Sequence, residues 1–87
     1  IAGGLRDEDE TTRRRLWSEA ESLLQKAVVL AENDVWRAWC WFDLARVRIH
    51  LRKPDAQIEE AFQSAIFLLP GQARFVEGMD NWRRSRT

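Results

Sequence analysis

The sequence predicts an all-α domain of three to four helices, folded as antiparallel hairpins. Three observations predict it. Apolar residues recur every three or four positions along three stretches, which is helical spacing. The 87 residues hold only four glycines and two prolines, and these cluster at the N-terminus, at Pro54, at Pro70-Gly71 and at Gly78. The polar and breaker residues between the stretches, Asn33-Asp34, Lys53-Pro54-Asp55 and Pro70-Gly71, are stop and start signals for helices.

The first stretch opens on Asp7-Glu8-Asp9-Glu10 and Thr11-Thr12. Acids suit the positive end of a helix dipole and threonine can cap it, so a helix is expected from about residue 11. Residues 1–10 are read as a flexible lead-in, with Ile1-Ala2-Gly3-Gly4 a scar or a cut inside a longer chain. Leu16, Ala20, Leu23, Ala27 and Leu30 form the apolar stripe, widened by Trp17, Leu24 and Val28. Asn33-Asp34 ends this helix or caps the next.

The second stretch, about 35–52, is apolar on two sides. Cys40, Trp41, Leu44, Val47 and Leu51 share one face, and Trp39, Phe42, Arg46, Ile49 and His50 another. Such a helix is expected between neighbours. The third, about 55–69, carries Ile58, Ala61, Phe62, Ala65, Ile66 and Leu69, with Asp55 placed to cap it. A weaker fourth helix over about 72–84 sets Phe75, Val76, Met79 and Trp82 on one side. Gly78 costs it about 1 kcal/mol of helix propensity, and residues 85–87 are expected to fray. One domain therefore spans 11–84.

Formal net charge is zero, with eight acids and five bases in residues 1–34 against six and nine in 35–87. That imbalance is too mild for a dedicated nucleic-acid binder. A single cysteine excludes an internal disulfide, which makes a cytoplasmic setting the default. No apolar run reaches the ~18 residues of a membrane span.

The middle of the chain resembles a tetratricopeptide repeat. That repeat reads W-x2-L-G-x2-Y in its first helix and A-x3-F-x2-A-x4-P in its second. Here the second helix gives Ile58-x3-Phe62-x2-Ala65-x4-Pro70 and the first gives Trp41-x2-Leu44-Ala45-x2-Arg48. Ala20-x3-Leu24-x2-Ala27 resembles the second helix of a preceding repeat, so about one and a half repeats cover residues 16–70. Arg48 stands where the repeat has a large aromatic, Ile58 where it has a small residue, and 38 residues separate Ala27 from Ala65. The resemblance implies a binding groove lined by the first helix of the pair, here Trp39, Phe42, Asp43, Arg46, Ile49 and His50. Phe42, Asp43 and Arg46 do not reproduce the Lys/Asn clamp for a C-terminal carboxylate.

Catalysis is not expected. Cys40 and His50 are ten residues apart, about 15 Å along a helix axis, too far for a nucleophile–base pair. No phosphate loop or metal-ligand cluster is present, so no cofactor or metal is expected. The five tryptophans, Trp17, Trp36, Trp39, Trp41 and Trp82, are a heavy load. Trp41 is expected in the core. Trp36 and Trp39 are expected against helix one, a partner, or a second copy, because tryptophan is enriched at interface hot spots. The expected function is protein–protein interaction within a larger protein, with a homodimer possible. The alternative is an accessory nucleic-acid-binding domain, motivated by Arg13-Arg14-Arg15 and Arg83-Arg84-Arg86 beside Trp17 and Trp82. Arg13–Arg15 can instead pair with the four preceding acids at i,i+4.

Overall fold

A computed structural model describes residues 2–86, with side chains from Thr11 onward. The described residues form four helices and no strand: α1 (Ala2–Leu30), α2 (Asp34–His50), α3 (Asp55–Leu68) and α4 (Ala73–Ser85). Adjacent helices pack against one another, as the all-α hairpin reading expects. No helix among the described residues is long and apolar enough to cross a membrane. The helix expected from about residue 11 runs from Ala2, so Thr11 and Thr12 lie inside it and do not cap it. Its acids at 7–10, and any pairing with Arg13–Arg15, lie outside the described side chains.

Asn33 starts α2. Its extended backbone (φ −142°, ψ 163°) lets Oδ1 accept the Trp36 N–H at 2.8 Å, an N-cap worth about 1 kcal/mol. Across the same turn Arg37 donates to the carbonyls of Val28 (3.1 Å) and Ala31 (2.8 Å). A helix leaves its last carbonyls without internal partners, so one guanidinium ends α1 and fastens it to α2.

The α2–α3 turn has a Schellman pattern. Arg52 N–H donates to Ile49 O and Lys53 N–H to Arg48 O, both at 3.0 Å. Arg52 takes φ 56° to close it, a conformation in which a Cβ crowds the following carbonyl. Arg52→Gly is therefore expected to stabilise the domain by about 0.5–1 kcal/mol, read as a higher urea midpoint at unchanged m. Pro54, not Asp55, occupies the N-cap of α3: its carbonyl accepts Gln57 N–H (2.9 Å) and Ile58 N–H (3.3 Å). Asp55 is the first helical residue and pairs with Arg86 at the far end of α4. Arg83 bonds Glu59 at 2.6 Å. These two contacts set the C-terminal end of α4 beside the N-terminal half of α3, antiparallel to it.

The core lies between α2, α3 and α4. Ala38, Ala45, Ala61 and Ala65 are fully buried and bring the helix backbones close, while Phe42, Ile58, Phe62, Phe75 and Trp82 fill the space. The rings meet edge-on or tilted, with centroids 5.0 Å apart for Phe42–Phe75, 5.8 Å for Phe62–Trp82 and 6.1 Å for Phe42–Phe62. These are favourable aromatic geometries. Trp41 is half-buried and packs against this cluster.

Gly78 has a packing reason that outweighs its propensity cost. A Cβ there would sit 2.7 Å from Cε1 of Phe42 and 3.3 Å from Phe62. Both rings are buried, so neither yields freely. Gly78→Ala is expected to destabilise by about 1–2 kcal/mol despite alanine's better helix propensity, because overpacking exceeds the ~1 kcal/mol gain. Chemical denaturation reads the sign directly.

The first stretch is turned differently from expectation. Leu16, Leu23 and Leu30, the heart of the expected stripe, are 57%, 65% and 76% exposed. The covered side of α1 is formed by Val28 and, half-buried, Trp17, Glu21 and Leu24, flanked by Ala20 and Ala27 of the expected stripe, which are half-buried too. Both stripes have helical spacing. Helix α1 has α2 as its main neighbour and so covers only one of them.

Candidate interaction surface

Along α2 the residues Trp36, Trp39, Asp43, Arg46 and His50 step by three and four positions, which puts them in one row on a helix. Trp36 is 53% exposed, and Asp43, Arg46 and His50 face solvent. Trp39 is half-buried, its ring edge-on to Phe75 of α4 at 4.8 Å. Two other expected groove residues lie elsewhere. Phe42 is buried between Phe62 and Phe75, and Ile49 is half-buried against the core. The docking of α4 covers Phe42, because Phe75 touches both Trp39 and Phe42.

At its C-terminal end the row meets α1. Trp17 stacks on His50 with ring centroids 4.3 Å apart and planes 8° from parallel. Arg13, Leu16, Ala20 and this ring pair line an open hollow of about 550 Å³. Nothing in the sequence paired Trp17 with His50, which are 33 positions apart. The contact depends on the crossing of α1 and α2.

Asp43 is the titratable group of the row with a perturbed environment. Although its side chain reaches solvent, the apolar neighbourhood pushes its carboxyl above the ordinary range, and the Arg46 charge pulls it part of the way back. The folded state then binds its proton more readily than the unfolded state. Between the unfolded and folded pKa, stability falls as pH rises. Asp43→Asn is expected to raise the neutral-pH melting temperature slightly and to remove this acidic-side slope, as read from melts at pH 4 and pH 7.

Cys40 is buried, and burial followed by the Asp43 charge pushes its thiol up. It is therefore a protonated packing residue, not a nucleophile. Among the described residues no group of three or more His, Cys, Asp or Glu could hold a metal ion.

A second groove, of about 690 Å³, runs between α2 and α3, lined by Arg37, Trp41, Glu59, Glu60, Phe67 and Leu68 among others. Phe67 is 85% exposed. It follows Glu60 and Gln63 at helical spacing, and that placement on the polar face was the signal available in the sequence. Behind α2 lies a cluster that is structural. Arg48, 7% exposed, donates to Gln57 O at 2.7 Å and stands 3.6 Å from Glu21, which Lys53 also approaches at 3.6 Å.

The arginines at the C-terminus are engaged in the fold. Arg83 bonds Glu59, and Arg86 pairs with Asp55 and sits over the Trp82 ring, 4.9 Å from its centroid. No protein-family model, curated protein or solved structure matches the chain.

Proposed function

We propose that this chain is a tetratricopeptide-like helical module whose work is to bind another protein. The observation that carries the reading is the α2 row. Trp36 stands half out in solvent at its head, Asp43 and Arg46 offer opposite charges along it, and it opens at His50 onto the hollow beside Trp17. An exposed tryptophan with charged neighbours is the composition of an interface hot spot. The repeat-like pattern is supported by the burial of Leu44, Ala45, Ile58, Phe62 and Ala65, the positions that hold a repeat's two helices together. The engagement of Arg83 and Arg86 with acids of α3 favours a protein partner over a phosphate backbone.

Selection of a displayed peptide library on the immobilised domain tests this. Peptides are expected to enrich, and the doubly substituted Trp36→Ala/Arg46→Ala domain is expected to bind them at least tenfold more weakly while keeping its helical circular dichroism. Enriched peptides that bind both domains equally would remove the α2 row as the site. Salt-sensitive binding of duplex or single-stranded DNA, with no peptide enriched, would reverse the choice of partner class.

A further inference from the structure

From the exposed face of α1 we infer that the domain pairs with a second copy of itself through an antiparallel α1–α1′ contact centred on Leu23. This goes beyond the reading above: the contact lies on α1, apart from the α2 row, and its partner is a second copy of the chain.

Leu16, Leu23 and Leu30 are seven residues apart and all more than half exposed. A seven-residue apolar repeat is the seam of a helix–helix pair. On one side of the leucines lie Ala20 and Ala27, half-buried and small enough to let a second helix approach the leucines closely. On the other side lie Glu19 and Lys26, both exposed.

The order of charges selects orientation and occupant. In a two-fold antiparallel pair centred on Leu23, Leu23 meets its own copy and Leu16 meets Leu30 of the second copy. That symmetry keeps the charged edges of both helices on the same side. Glu19 of each chain then comes level with Lys26 of the other, and the two ion pairs form together. A parallel pair sets each charged edge against an alanine edge and gives neither charge an opposite. The face is thus complementary to itself in one orientation, as an isologous contact requires. Residues 16–30 give a seam of about 21 Å, short for a permanent dimer, so the association is reversible and concentration-dependent.

Sedimentation of the 87-residue chain across concentration tests the inference, with a limiting mass expected at twice the 10.3 kDa of one chain. Leu23→Glu is expected to weaken pairing about a hundredfold or more with unchanged helical signal, since one leucine is lost from each side. Glu19→Lys and Lys26→Glu should each weaken it, and the double exchange should restore it. Under oxidation Leu23→Cys should cross-link to itself, whereas Leu16→Cys should cross-link to Leu30→Cys and not to itself. Buried Cys40 takes no part. A chain monomeric throughout, a dimer indifferent to Leu23→Glu, or self-cross-linking of Leu16→Cys would overturn the inference. Peptide capture by the α2 row, measured on Leu23→Glu, reports separately on the protein-binding reading and survives if only the pairing is wrong.

Discussion

Replacing Phe62 with alanine is expected to remove about 3–5 kcal/mol of stability, while the same change at Phe67, five residues on, alters it by no more than about 0.5 kcal/mol. Phe62 is 1% exposed and its ring touches both Phe42 and Trp82, so it joins α2 to α4 through α3. Its removal leaves a void that rigid neighbours on two helices cannot close. Phe67 is 85% exposed and has little to lose. A domain of this length has roughly 4–13 kcal/mol in total, so Phe62→Ala consumes a large share of it. Urea denaturation followed by far-UV circular dichroism should show Phe62→Ala partly unfolded near body temperature and Phe67→Ala close to the parent.

The second large effect is expected at Arg48. Arg48→Met is expected to cost about 3 kcal/mol, because it strands the Glu21 carboxylate, 15% exposed, with Lys53 alone. The double substitution Glu21→Leu/Arg48→Met is expected to recover most of that loss, since a buried ion pair replaced by apolar groups is often neutral or better. Denaturation midpoints of the two singles and the double close the cycle. A double no more stable than Arg48→Met would mean that the lost bond to Gln57 O, and not the stranded charge, carries the cost.

These two positions also mark where the sequence was legible. The α2–α3 hairpin could be read because its determinants are local: Asn33 caps, Pro54 and Pro70-Gly71 interrupt, and alanines sit at the repeat's close-approach positions. Phe62 fell on the predicted core stripe for the same reason. Arg48 could be recognised as the wrong residue type for its place, but not as one arm of an ion pair with a residue 27 positions upstream. The side of α1 that is buried was not legible, since its two stripes have equal helical spacing and only its packing on α2 selects one. The packing role of Gly78 was not legible for a related reason. Propensity is local, whereas the approach of Phe42 depends on how α4 docks. That same docking removed Phe42 from the expected groove, Ile49 lies half-buried against the core, and Asp43, Arg46 and His50 remain accessible, with Trp36 exposed beside them.

The central claim is that the open row of α2 binds a protein chain, and the five indole N–H groups report on it in one experiment. In a ¹⁵N-edited titration with a peptide enriched on the domain, the indole signals of Trp36 and Trp39 are expected to shift, together with the backbone amides of Asp43, Arg46 and His50. The signal of Trp82, buried on the far side of Phe62, is expected to stay in place. Shifts confined to Trp82 and the arginines after it, or a row that moves only on addition of DNA at low salt, would contradict the account.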